Sequence, residues 1–281
     1  MKKLMLILSL FLTSTTHATI KIAVIDTGFD FSSKWENKAA IKATGITKPK
    51  LCANGHYDFV NDNANSDKNN DNHGHGTHIA GIIAKGNNNL DYCLVILKYY
   101  DPKVINTDNL KNSISAYKRA IRMNVDIINY SGGGVEKSTE ECSLMKQALD
   151  KGIKVVAAAG NERSDLDKHP YYPALCDSRI VVVASVDISN TRLPSSNWSS
   201  SKYQLWSAIG QNVMSLLPYN SYGYMTGTSQ ATAAITNMIV KQLVKEYKLY
   251  RLQPSKCSNS FVENLAYEMQ YKVVRSCKWE S

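Results

Sequence analysis

The sequence predicts an α/β fold in which a doubly wound, mostly parallel sheet carries helices on both faces. Three observations carry that prediction. Short, unbroken apolar runs recur along the chain, helix-like segments separate them, and no repeat or Pro- or Ser-rich linker divides the chain. A strand covered on both faces is apolar throughout rather than alternating, and strands that alternate with helices join into parallel sheets.

The first run, residues 20–25 (IKIAVI), is β-branched and ends at Asp26. Similar runs occupy residues 93–99 (CLVILKY), 125–130 (VDIINY), 153–158 (IKVVAA) and 180–185 (IVVVAS). Helix-like segments lie near residues 78–84, 108–123, 139–151 and 229–247. Between them, residues 61–72 (NDNANSDKNNDN) have nothing to bury and read as a surface loop. The carboxylates and amides of that loop, and of residues 85–91 (KGNNNLD), are candidate ligands for a structural calcium ion, although their spacing fits no EF-hand.

The chain opens with Lys2 and Lys3, an apolar run from Leu4 to Leu12, and small polar residues ending at Ala18. That pattern is a secretory signal peptide over residues 1–18, too short in its apolar run to be a membrane anchor. Residues 19–281 are expected to form one domain, secreted or periplasmic. Lys and Arg number 33 against 24 Asp and Glu, a formal charge of +9. The surplus is spread out and lacks a basic patch interleaved with aromatics, so nucleic acid is not an expected partner. The six cysteines of the exported part, with no C-x-x-C spacing, read as three disulfides.

In parallel α/β sheets, sites form beyond the carboxyl ends of the strands. Asp26-Thr27-Gly28 follows the first run, and His75 lies in NHGHGTHIAG. Asn161 ends AAAGN after the fourth run, and Ser229 opens a late helix within MTGTSQATAA. Asp-Thr-Gly also marks aspartic proteases, but no second copy follows. Zinc would call for His-Glu-x-x-His or a nearby carboxylate, and neither accompanies His73, His75 and His78. An Asp, a His, an Asn and a Ser at such positions suit acyl transfer. A neutral imidazole takes the serine proton, a carboxylate fixes the imidazole, and an amide holds the oxyanion.

From about Ile20 to Asn237 the sequence resembles the subtilisin-like serine proteases. The family's motifs match at Asp26-Thr27-Gly28, at His75–Gly81 with Ile79 for valine, and from Gly227 through Ser229, in the family's order. The resemblance implies a seven-stranded sheet, Asp26 as orienting carboxylate, His75 as base, Ser229 as nucleophile and Asn161 in the oxyanion site. It implies that Ser131, Gly132, Gly133 and Gly134 pair with the substrate backbone. Together with Ala158, Ala159 and Gly160 they are expected to flank the specificity pocket, where Asp165 and Asp167 are weighed as a preference for basic side chains against ordinary loop carboxylates. Gln230 and Ala233 stand where the family usually has Met and Pro.

The implied activity is that of a monomeric serine endopeptidase acting on polypeptides without a cofactor. Two alternatives stay open: a dedicated processing or ligating enzyme, and a catalytically weak binding protein. Only seven residues separate Ala18 from Asp26, so no prosegment is expected, and a separate inhibitor or folding partner would take its role. Nearest-neighbour disulfides Cys52–Cys93, Cys142–Cys176 and Cys257–Cys277 are the expected pairing.

Overall fold

The computed structural model describes residues 19–64, 70–252 and 274–275. The expected signal peptide and the Cys257–Cys277 pair lie outside the described residues. In chain order the elements are β1 (Ile20–Asp26), α1 (Lys38–Thr44), β2 (Tyr57–Asp58), α2 (His75–Ala84), β3 (Tyr92–Lys98), α3 (Asn109–Arg122), β4 (Ile127–Tyr130) and α4 (Thr139–Asp150). There follow β5 (Lys154–Ala158), β6 (Val181–Val186), β7 (Trp206–Ile209), β8 (Val213–Leu217), β9 (Ser221–Met225), α5 (Thr228–Leu252) and β10 (Val274–Arg275).

Seven strands pair in parallel in the order β2-β3-β1-β4-β5-β6-β7, and β10 adds an antiparallel edge beside β7. The β8–β9 pair forms a separate antiparallel hairpin. Each apolar run of the sequence becomes a strand because both faces of the sheet are covered. On one face α2 and α5 pack over Ile22, Val24, Ile96 and Val156. On the other, Ala23, Ile25, Ile128 and Val155 meet the Tyr117 side of α3 and the Met145 side of α4.

Two helices that matter for the site are joined to each other. The Asn237 Nδ2 of α5 lies 3.0, 2.8 and 2.8 Å from the carbonyls of Ile82, Ile83 and Lys85 at the end of α2. Both expected disulfides within the described residues are present, Cys52–Cys93 and Cys142–Cys176, closing segments of 41 and 34 residues. The first ties the loop before β2 to β3, and the second ties α4 to the loop before β6. Bridges of that span stabilise by about 3–4 kcal/mol each, by restricting the unfolded chain.

Candidate active site

The parallel register puts the carboxyl ends of β1 and β4 side by side, with Ile25 opposite Tyr130. Asp26 is therefore delivered next to Ser131. Its carboxylate accepts from the His75 Nδ1–H at 2.7 Å and from the Thr27 N–H at 2.7 Å, and it is 3% exposed. Burial pushes the His75 pKa down, but the Asp26 charge, the bond to Asp26 and the Asp71 charge outweigh it and leave the imidazole above its ordinary value.

What positions His75 is a residue that sequence reasoning passed over. Asp71 was expected on a solvated loop, yet it is buried. Its Oδ1 accepts from Thr27 Oγ1 at 2.8 Å and from the Gly74 N–H at 2.7 Å, while Oδ2 accepts from the Thr77 N–H at 2.7 Å. Thr27 Oγ1 in turn accepts from the Gly76 N–H at 2.9 Å. Helix α2 has no side-chain cap at Gly74, so Asp71 and Thr27 satisfy its first N–H groups instead. A carboxylate there also suits the positive end of the helix. The helix starts at His75, three residues ahead of the sequence expectation, for this reason. Gly76 permits the approach: a Cβ there would meet the Gly28 carbonyl at 2.2 Å. The position of Asp71, three residues before Gly74 at a helix start, was the available signal.

Ser229 sits in the first turn of α5 and is 8% exposed. Its hydroxyl donates to the Ser131 carbonyl at 3.0 Å. Ser131 Oγ donates back to the Ser229 carbonyl at 3.2 Å and accepts from Asn129 Nδ2 at 3.1 Å. Asn129 Oδ1 also accepts from Thr236 Oγ1 at 2.8 Å, so β4 grips α5 at two levels. Asn161, exposed beyond β5, accepts from the Thr228 N–H at 3.0 Å through Oδ1, which leaves Nδ2 as its donor. Gln230 and Ala233 are both buried within α5.

A model of the subtilase family matches residues 17–271. The chain belongs to the subtilase family. Subtilisin E of Bacillus subtilis (strain 168) is 35% identical over 223 residues, which cover 77% of this chain and 53% of that protein. The major intracellular serine protease of the same strain is 31% identical over 243 residues, 82% of this chain and 69% of the relative. The chain thus spans about half the length of subtilisin E. The crystal structure of a cold adapted subtilisin-like serine proteinase superposes with a TM-score of 0.63 at 27% identity, covering 83% of this chain and 78% of the other. A lanthipeptide protease shares the fold at a TM-score of 0.63 and 21% identity, over 88% of this chain and 78% of that one.

One cleft of this subtilase is a cavity of about 630 Å³ lined by Asp26, His75 and Ser131–Gly134. Tyr99, Leu110, Ser113 and Glu141 line it as well, whereas Ala158, Ala159 and Gly160 do not. Those three end β5 and lead into the loop carrying Asn161. Gly134 exchanges both backbone bonds with Tyr172, at 2.9 and 2.8 Å, which anchors the segment. Asp165 and Asp167 are loop carboxylates. Ser200 and Lys168 contact Asp165, and Ser199, Ser201 and the Lys202 N–H contact Asp167, whose hydrogen bonds outweigh desolvation and hold its pKa down at about 2.

The other two histidines have separate places. His73 lines the cavity, its ring 6.1 Å from that of His75. His78 is fully buried, with Nε2 3.2 Å from the Gly223 carbonyl, and burial lowers its pKa to about 4. Among the described residues no group of three or more His, Cys, Asp or Glu side chains could hold a metal ion. Beside the Asn- and Asp-rich loop, the buried Lys98 ammonium lies 2.8 Å from Asp101, 3.1 Å from the Asn70 carbonyl and 3.9 Å from Asp58.

Proposed function

We propose that this subtilase is an exported serine endopeptidase, one catalytic domain over residues 19–281 behind a signal peptide at 1–18. The observation that carries the reading is the 2.7 Å Asp26–His75 bond, fixed through Thr27 and Asp71, with Ser229 and Asn161 gathered at the same end of the sheet. Because Asp26 holds Nδ1–H, Nε2 is the nitrogen that accepts a proton. On substrate binding the Ser229 hydroxyl exchanges its bond to Ser131 for one to His75. His75 takes the proton as Ser229 Oγ attacks the carbonyl carbon. Asn161 Nδ2 and the Ser229 N–H hold the resulting oxyanion, and His75 then passes the proton to the leaving amine, leaving an acyl-enzyme for water to cleave.

Subtilases need no cofactor for this chemistry. Lys98 supplies the positive charge beside Asp58 and Asp101. Two disulfides support export, and no helix among the described residues is long and apolar enough to cross a membrane.

An active-site fluorophosphonate tests the proposal. The mature chain is expected to label and to cleave denatured casein, and Ser229→Ala to lose labelling and about six powers of ten in kcat. Labelling retained in Ser229→Ala would place the nucleophile elsewhere. An unlabelled wild-type chain that still binds peptides would favour the catalytically weak binding protein, which the bond from Ser229 to Ser131 rather than to His75 makes the specific rival.

A further inference from the structure

Substrate selection has no assigned residue once Asp165 and Asp167 are consumed by their own loop. The cavity beside His75 supplies one. We propose that it is a subsite for a basic substrate side chain on the acyl side of the scissile bond, selected by the buried carboxylate of Glu141. The proposal rests on the protease reading above.

Glu141 lies in the first turn of α4 and is 4% exposed, yet it forms part of the cavity wall. A carboxylate is seldom buried so deeply without a charged partner. No Lys or Arg lines the cavity, although the chain carries a surplus of them, whereas Asp26, Glu136 and Glu141 all do. Two lysines of the neighbouring segments are turned to other work. Lys118 pairs with Glu140 at 2.6 Å on the outer side of α3 and α4, and Lys137 lies over the Tyr172 ring at 5.9 Å.

The walls also suit a long cationic side chain. Tyr99, Tyr100, Tyr130, Tyr171 and Tyr172 line them with ring surface, which accepts both a methylene stem and a cation. Gly132 keeps the edge toward Ser131 narrow, since a Cβ there would meet the Tyr99 hydroxyl at 2.3 Å. Burial pushes the Glu141 pKa up to about 7 against the pull of the Tyr117 and Ser113 hydroxyls. An arriving ammonium or guanidinium supplies the missing counter-charge and brings the carboxylate fully to its ionised form. An acidic side chain would meet three carboxylates, and an apolar one would leave the buried charge unpaired.

Fluorogenic peptides of one sequence, carrying Lys, Arg or norleucine at each acyl-side position in turn, test this. At one position the wild-type ratio of kcat/KM for basic over norleucine peptides is expected to be about thirtyfold, and Glu141→Gln should bring it near unity. Leu110→Lys, at a rim position 43% exposed, places a competing cation in the cavity and should lower the ratio even if Glu141→Gln fails to fold. No basic preference at any position, or a ratio unmoved by both variants, overturns the subsite. Binding of the same peptides to Ser229→Ala, followed by calorimetry, separates the two proposals. A basic preference in binding without any wild-type turnover overturns the protease reading alone, whereas turnover without preference overturns the subsite alone.

Discussion

The two halves of the proposed catalytic constellation are held in different ways. The base half is wired from below. Asp26 accepts two hydrogen bonds, Asp71 accepts from Thr27, His73, Gly74 and Thr77, and both carboxylates are buried. In the nucleophile half the Ser229 hydroxyl makes one exchangeable bond, to a backbone carbonyl, with the exposed Asn161 beside it. The difference teaches that the fold settles the tautomer and direction of His75 before substrate arrives. The Ser229 hydroxyl, by contrast, needs only to rotate. The base must hold one orientation through both proton transfers, while the nucleophile has to change partners.

If that contrast is right, damage to the base half should spread and damage to the nucleophile half should stay local. Asp26→Asn should cost about four powers of ten in kcat, because an amide favours the wrong imidazole tautomer. A loss below tenfold would show that Asp71 and Thr27 orient His75 unaided. Asn161→Ala should cost roughly two to three powers of ten in kcat with the melting temperature unchanged, the usual loss of one oxyanion donor at an exposed position. Asp71→Asn should destabilise the fold by about 1–2 kcal/mol through its weaker cap on α2.

The pH profile sharpens the same comparison. kcat/KM should fall as pH drops through the His75 pKa, which lies above that of an ordinary histidine. Asp71→Asn removes a charge that raises this pKa, so its acid limb should move to lower pH; an unmoved limb would show that the Asp71 charge is not felt at the imidazole. His78 gives an effect on stability instead. The unfolded chain takes up this proton near pH 6.5 but the folded chain only near 4, so stability is full above 6.5. It should decline by on the order of 3 kcal/mol as pH falls from 6.5 to 4, measurable by denaturant titration.

The long strands and the Asp, His, Asn and Ser positions were legible because each left a contiguous mark, either an apolar run or a motif at its end. Short elements left none. β2 is two residues, and β7 has only Trp206–Ile209 to show. The β8–β9 hairpin alternates weakly because its strands are only partly covered. Asp71 was hard to read for another reason: among Asn and Asp neighbours its composition says solvent, and its bond to Thr27 comes from far away in the chain. Glu141 likewise stands among Thr139, Glu140 and Cys142 as an ordinary helix-start acid. Its place in the cleft depends on which face of α4 turns toward α3, and a single acidic residue does not reveal that.

The reach of Asn237 into the end of α2 has a consequence for when the protein becomes dangerous. Residue 237 follows Ile82 by 155 positions, so the helix carrying the proposed base is fastened at its end by the helix carrying the proposed nucleophile. A chain made from its amino end can complete β1, α2 and the Asp26–His75 bond while Ser229 has yet to emerge. Such a half-made product is disarmed. On the proposed reading, hydrolytic competence arrives only with the docking of α5, which brings Ser229 to the Asp26–His75 pair.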